Sequence, residues 1–230
     1  MMTPRGEILV VVAKLPVPGD VKTRLTPRLS PERAAALYRA LLLDVLDQSA
    51  GLAPERIAKA VAVTPAAAVP EFERIVPPGF AVVAQEGPGL AERLSAVFEL
   101  FSGRGFGRIV VRNSDSPLLS DAYVLDAFDR LARADAVFGP DGGGGYNLVG
   151  LRGPRPRLFH GIAMSTRSVL DETLERAREE GLRAEVLEIG RDVDDPADLE
   201  WLAAEFARPH GGARERAPRT AAALRDALAT

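Results

Sequence analysis

The chain has 230 residues, 47% hydrophobic and 27% charged, with a formal net charge of -3, no cysteine and only two histidines, His160 and His210. That length carries one sizeable core without covalent staples, the charge argues against a nucleic-acid binder with a broad basic surface, and the lack of cysteine excludes disulfides, thiolate metal sites and cysteine nucleophiles. Any metal would be held mainly by oxygen, which points to Mg²⁺ or Mn²⁺.

Taken in order, Glu7 to Ala13 reads as a buried strand dense in valine. Its apolar run is too short to span a membrane and has no cleavage pattern, so a cytoplasmic protein is expected. Lys14 to Leu29 is a loop with Pro16, Pro18, Gly19 and Pro27 and the cations Lys14, Lys22, Arg24 and Arg28. Ser30 caps and Pro31 starts a helix that runs to about Gln48. Strands are predicted at Ile57 to Val63 and Phe80 to Ala84, with a short helix from Ala66 to Ile75 and a turn at Pro77-Pro78-Gly79 between them. A helix follows from Leu90 to Phe101, then a buried strand at the β-branched apolar run Ile109-Val110-Val111 within Arg108 to Pro117, then a helix from Asp121 to about Ala132 capped by Ser120. Ala136 to Gly139 and Tyr146 to Leu151 are strands around the glycine loop Asp141 to Gly145. A helix from Ser165 to Glu180, a strand from Ala184 to Ile189 and a helix from Asp195-Pro196 to Phe206 complete the pattern.

The alternation of strands and helices predicts an α/β fold: a mainly parallel sheet with helices on both faces, and a small antiparallel insertion at the glycine loop. Residues 1–206 are expected to form one domain, 207–218 an Arg, Gly and Pro-rich linker, and 219–230 a last helix packed on that domain.

Chemistry is expected beyond the carboxyl ends of the strands. The first loop offers Lys22, Arg24 and Arg28, an ammonium and planar guanidinium forks suited to phosphate. It is not a Walker loop, because no glycine directly precedes Lys22. Asp115 ends a strand and reads either as a metal ligand or as a turn former bonded to its own backbone. Asp192 and Asp194 alternate, so an extended segment would turn both toward one site. With Asp115 they would make an oxygen cage for a divalent cation. The glycines after Asp141 either let backbone amides approach a ligand or simply make a tight turn. Ser165 and Thr166 offer hydroxyls to phosphate, although helix capping accounts for Ser165. His160 reads as a surface or packed histidine, and Trp201 as core.

Five segments occur in a fixed order: Lys14 to Leu25, Ser114-Asp115-Ser116-Pro117, Gly144-Gly145-Tyr146-Asn147-Leu148-Val149-Gly150, Met164-Ser165-Thr166 and Asp192 to Leu199. With them the chain resembles a bacterial family of small GT-A-fold proteins in the nucleotide-diphospho-sugar transferase superfamily. Members are usually labelled glycosyltransferases, some tied to arsenosugar biosynthesis, and are related to phospholactate guanylyltransferases. The resemblance covers roughly residues 7 to 205 and implies a divalent cation, Mg²⁺ or Mn²⁺, on Asp115. Asp192 and Asp194 match the acidic pair of the related guanylyltransferases. Lys22-Thr23-Arg24-Leu25 matches their Lys-x-Arg-Leu element. One departure is Gly143, which stands where the family has an aspartate, with Asp141 two residues earlier.

The expected site therefore has Asp115, Lys22, Arg24 and Asp141 as catalytic residues and Asp115, Asp192 and Asp194 on the metal. Lys14, Gly19, Lys22, Arg24, Gly144, Gly145, Ser165 and Thr166 are expected on the nucleotide or its phosphates. The leading expectation is glycosyl transfer from a nucleotide-sugar to a small acceptor, followed by nucleotidyl transfer from a nucleoside triphosphate with release of pyrophosphate. A non-catalytic nucleotide sensor is the third reading. Neither nucleic acid nor a membrane span is expected among the partners, and the sequence says nothing of oligomeric state.

Overall fold

The structure, a computed structural model, describes residues 6–164 and 166–229. Seven strands, β1 (Glu7–Lys14), β2 (Ile57–Thr64), β3 (Phe80–Ala84), β4 (Arg108–Arg112), β5 (Ala136–Pro140), β6 (Tyr146–Leu151) and β7 (Ala184–Val186), form one sheet in the order β3-β2-β1-β4-β6-β5-β7. All neighbours pair in parallel except β6, which is antiparallel to both β4 and β5. The predicted antiparallel insertion is thus a single reversed strand, entered through the glycine loop. The helices are α1 (Pro31–Gly51), α2 (Val69–Ile75), α3 (Leu90–Gly103), α4 (Asp121–Arg130), α5 (Pro156–Phe159), α6 (Val169–Glu179), α7 (Pro196–Ala207), α8 (Ala213–Arg216) and α9 (Pro218–Leu228). Among the described residues no helix is long and apolar enough to cross a membrane.

The strands alternate their apolar residues between two cores, as a period of two requires. Ile8, Val10, Ile109 and Val111 point to the face covered by α3, α5 and α6, where Phe98 and Phe159 stack with centroids 6.0 Å apart. Leu9, Val11 and Val110 point to the other face, under α1, α2 and α4. A further cluster lies outside α1, where α7 and α9 pack on Leu37 and Leu41. The caps act as their residue types predict: Ser30 Oγ accepts from Arg33 N at 3.3 Å, and Ser120 Oγ from Tyr123 N at 3.1 Å.

Two predicted elements are shorter in the structure. The helix expected from Ser165 begins at Val169: just before it the Arg167 backbone packs against Gly144 of the glycine loop, and in its first turn Leu170 N donates to the Gly144 carbonyl at 2.9 Å. Ser165 itself lies outside the described residues. The strand expected to reach Ile189 stops at Val186. Beyond it the chain still tracks β5, through Leu187 N to the Phe138 carbonyl and Gly190 N to the Pro140 carbonyl, both 2.8 Å, but without a continuous ladder. The Arg, Gly and Pro-rich stretch contains the short helix α8.

The C-terminal helix is tied down by one buried carboxylate. Asp44 of α1, 1% exposed, accepts from Thr220 N and Thr220 Oγ1, both at 2.7 Å, and from Arg219 N at 3.3 Å. These amides are at the start of α9, which has no cap of its own, so Asp44 caps it from another helix. Asp44→Ala is expected to destabilise the protein by about 2–4 kcal/mol in urea unfolding, because it strands several buried donors at once. Asp44→Asn, which keeps one acceptor, should cost less.

Candidate functional site

Strands β1 and β4 are parallel neighbours, and the sheet grows away from them in opposite directions. Loops leaving such a pair diverge and leave a crevice beyond the strand ends. Lys22 lies in the loop after β1 and Asp115 three residues past the end of β4. The two residues singled out from distant stretches of sequence meet here.

Lys22 holds a left-handed backbone, φ 49° and ψ 38°, just before a 3-10 turn over Thr23–Leu25. For a residue with a side chain this costs roughly 1–2 kcal/mol. It carries the ammonium down into the crevice, where the side chain is 5% exposed and Nζ lies 2.5 Å from Asp115 Oδ2 and 2.7 Å from Asp194 Oδ1. Burial works against the charged form, but the carboxylates of Asp115 and Asp194 outweigh it and hold the pKa above the ordinary lysine range. Asp194 is opposed by burial in the same way, yet Lys22, with Arg24 3.6 Å away, holds its pKa below the usual carboxylate range.

The two acidic loops are joined through the backbone. Val193 N donates to the Asp115 carbonyl at 3.1 Å, and the Val193 side chain is fully buried. Its neighbours Asp192 and Asp194 therefore turn the other way and line one cavity, as their alternation predicts. Asp192 receives only a long contact from Ser116 Oγ, 3.4 Å. Burial first, then the charges of Asp115, Asp141 and Asp194, push its carboxyl up to about 8.

Side chains behind the crevice fix these loops. Tyr38 Oη of α1 accepts from Lys14 N at 2.9 Å and shares a 2.8 Å hydrogen bond with Ser114 Oγ. Arg112, the largest fully buried side chain, donates from Nη2 to the Ser116 carbonyl at 2.8 Å. Its burial, and Arg216 nearby, lower its pKa to about 10, so it stays charged at neutral pH. Gln48 Nε2 donates to the carbonyls of Pro117 and Arg216, both at 2.9 Å, which ties the Asp115 loop to the C-terminal helices. None of these supports was legible as functional. Tyr38 sits among apolar residues at helical spacing, and Arg112 inside a strand gives no sign of which carbonyl it will reach.

Two cavities flank the Lys22 cluster. One of about 290 Å³ is lined by Lys14, Asp20–Arg24, Tyr38, Asp115 and Asp194. The other, about 800 Å³, is lined by the glycine loop, Met164, Thr166, Arg167 and the stretch Ile189–Asp192, with Asp194, Asp195 and Asp198. Arg24 and Asp194 belong to both. Lys14 reaches the smaller cavity with Nζ 2.8 Å from the Asp20 carbonyl, while Gly19 is exposed with open space where a Cβ would be. Thr166 Oγ1 is bonded to the Ala163 carbonyl at 3.0 Å.

The glycine loop has structural reasons for its composition. Asp141 Oδ1 accepts from Gly143 N at 2.6 Å and Gly145 N at 3.0 Å. A Cβ on Gly144 (φ 98°) would overlap the Arg167 backbone, and one on Gly145 would lie 2.6 Å from Asp141 Oδ2. Asp141 thus shapes the loop, and of its two oxygens only Oδ2 accepts no hydrogen bond within it.

The donor set bears on the metal. Asp115 Oδ1 is buried with no hydrogen-bond partner, and Asp192 sits in an excess of negative charge. Both fit a divalent cation. Asp194 is instead engaged by Lys22, and among the described residues no three His, Asp or Glu side chains form a ready metal cluster. That suits an ion bound by one or two carboxylates with substrate phosphates completing its shell.

Comparison with known proteins places the chain. It matches the bacterial family described as uncharacterized protein conserved in bacteria (DUF2064) over residues 48–166, just over half its length. It is 30% identical over 182 residues to the 2-phospho-L-lactate guanylyltransferase of Methanothermobacter thermautotrophicus, covering 77% of this chain and 76% of that protein. A crystal structure from Desulfovibrio desulfuricans G20, provisionally assigned as a nucleotide-diphospho-sugar transferase, superposes with a TM-score of 0.85 at 32% identity, covering 96% of this chain and 94% of that one. The 4-diphosphocytidyl-2C-methyl-D-erythritol synthase of Anaerococcus prevotii, 10% identical with a TM-score of 0.57 over 88% of this chain and 97% of its own, shares the fold.

Lys22→Met leaves the partly buried Asp115 without its counter-ion and Asp194 with only the exposed Arg24, which is expected to cost about 2–4 kcal/mol of stability in urea unfolding. Millimolar Mn²⁺ should raise the melting temperature of this variant more than that of the unsubstituted protein, because the ion can take the place the ammonium left.

Proposed function

The chain belongs to the DUF2064 family, and from that premise we propose that it transfers a nucleotidyl group from a nucleoside triphosphate to a small anionic acceptor. The observation that carries this reading is the pair of cations at the meeting of two cavities: Lys22 lines the smaller, and Arg24 lines both. The smaller, with Lys14, Lys22, Arg24 and Tyr38, suits the triphosphate; the larger suits the acceptor. The guanylyltransferase relatives support the same assignment and make GTP with a phosphorylated hydroxy acid the first pair to test.

In this reaction an acceptor oxyanion forms a bond to the α-phosphorus, and the bond from that phosphorus to the bridging oxygen of the β-phosphate breaks. Its electron pair leaves on pyrophosphate. Little covalent work falls to the protein, so positioning and charge neutralisation dominate. Lys22, held protonated by its surroundings, offers a fixed cation to the leaving charge, and Arg24 a second, exposed one. An acceptor already ionised needs no general base. That matters because Asp141, the local carboxylate best placed by sequence for that role, has Oδ1 committed to two loop amides. A divalent cation, Mg²⁺ or Mn²⁺, held by Asp115 and Asp192 would supply further neutralisation of the polyphosphate.

Glycosyl transfer is the second reading, supported by the 32% identical neighbour assigned as a nucleotide-diphospho-sugar transferase. A hydroxyl acceptor would then need a base, for which Asp141 Oδ2 is the nearest group in the loop.

Incubation with GTP, Mg²⁺ and 2-phospholactate or related phospho-acids is expected to release pyrophosphate. Release of nucleoside diphosphate from a nucleotide-sugar, with no pyrophosphate from any triphosphate, would overturn the leading reading in favour of the second. Asp115→Asn should lower turnover by at least about 100-fold, in line with the loss of several kcal/mol of transition-state charge stabilisation. It should also abolish the metal dependence of nucleotide binding seen by calorimetry.

A further inference from the structure

The larger cavity contains a guanidinium that the reaction above does not use. Arg191 follows directly on Gly190, where a Cβ would collide with the Asn147 amide and lie 2.6 Å from Leu119 Cδ2. The backbone is therefore pressed against the sheet at that point. The Arg191 side chain is held twice: Nε donates to Asp198 Oδ1 at 3.0 Å, and the guanidinium lies over the Trp201 ring, 4.6 Å from its centroid. Asp198 is itself fixed, since its Oδ2 accepts from Asp194 N at 2.9 Å and Asp195 N at 3.0 Å in the capping box of α7. Asp198 and Trp201 sit three residues apart, on one helix face, and together aim a single planar cation.

This arrangement leaves both terminal nitrogens of Arg191 without a hydrogen bond or ion pair among the described residues. Arg191 is itself 42% exposed, so what sets it apart is its fixation and not its burial: Arg24 is 69% exposed with its guanidinium paired to Asp194, and Arg167 is exposed with no contact that fixes its guanidinium among the described residues. A cation locked in place before binding loses little conformational entropy on meeting an anion, and a free end-on fork matches the two oxygens of a carboxylate. The same wall carries Asp141, Asp192, Asp195 and Asp198, which repel anions elsewhere in the cavity. Met164 and the 73% exposed Ile189 supply apolar surface beside it.

We propose that Arg191 is the residue that selects the acceptor, by binding a carboxylate on a short aliphatic skeleton, separate from the group that attacks phosphorus. The proposal rests on the nucleotidyl-transfer reading for its use of the word acceptor, and its test is built on binding, so that the two stand or fall separately.

The probes are 2-phospholactate and isopropyl phosphate, which differ by that carboxylate, titrated calorimetrically into the full chain with Mg²⁺ and a non-hydrolysable GTP analogue. The protein is expected to bind 2-phospholactate at least about tenfold tighter than isopropyl phosphate, the size of one charge-assisted hydrogen-bonded pair. Arg191→Met should erase that preference and leave the affinity for the GTP analogue unchanged. Arg191→Lys should retain part of it, and millimolar methylguanidinium should restore part of it to Arg191→Met. Melting temperatures check the fold, and Arg191→Lys carries the comparison if Arg191→Met fails to fold. No preference between the probes in the unsubstituted protein, an equal loss for both in the variant, or a fall in GTP-analogue affinity would each overturn the proposal. Preference for the carboxylate without pyrophosphate release under any condition would leave Arg191 as assigned and overturn nucleotidyl transfer instead.

Discussion

The ammonium of Lys22, clasped between Asp115 and Asp194, is the interaction on which the site depends. Two carboxylates brought together at the end of a sheet repel each other and lose hydration, and a cation between them offsets both costs. The chain accepts a left-handed backbone at Lys22 to place that cation. Asp192 lies outside the clasp, and burial first, then the charges of Asp115, Asp141 and Asp194, push its carboxyl up to about 8 despite Lys22. The cluster is thus balanced on one side and under-neutralised on the other. On the under-neutralised side, Asp115 Oδ1 is buried with no hydrogen-bond partner.

The surrounding structure holds this cluster from three directions. The backbone bond between Val193 and Asp115 fixes the two acidic loops to each other. Tyr38 and Ser114 bind the end of β1 to the loop after β4, and Arg112 holds that loop from below. Gln48 and Arg216 then connect it to the C-terminal helices, Arg216 through the Leu119 carbonyl and Asp121. The last helix, anchored through Asp44, is in this way part of the scaffold of a site far from it in sequence. Preorganised charge of this kind is worth more than charge on mobile loops, because no reorganisation is needed when a ligand's charge develops.

The cavities on either side of the cluster divide the chemistry in space. The side at Lys14 and Tyr38 is narrow, with Lys14, Lys22 and Arg24 set among Asp20, Asp115 and Asp194, while the side at the glycine loop is roomier and richer in carboxylates. Their shared edge is formed by Arg24 and Asp194. The relation to guanylyltransferases and the likeness to a nucleotide-diphospho-sugar transferase both fit a fold that presents two ligands to each other at a switch point.

Much of this was legible in the sequence. Valine-rich runs and capped amphipathic helices identify the α/β class, because their periods are local properties. Asp192 and Asp194 could be placed on one side because alternation in an extended segment is also local. Lys22 and Asp115 could each be named as chemically suggestive, but not paired: 93 residues separate them, and only the order of strands in the sheet makes their loops neighbours. That Lys22 bridges Asp115 and Asp194 while Asp192 lies outside the clasp could not be read from spacing, since the side chain that fills a gap is chosen by packing. Of the glycines read either as a ligand cradle or as a tight turn, Gly144 is required for close packing on the Arg167 backbone, and Arg191, unremarked beside the acidic run, acquired its direction from Asp198 and Trp201. Local periodicity determined the elements and the chemical types on offer; three-dimensional adjacency decided which charges meet, because electrostatic energy depends on distance through space and not along the chain.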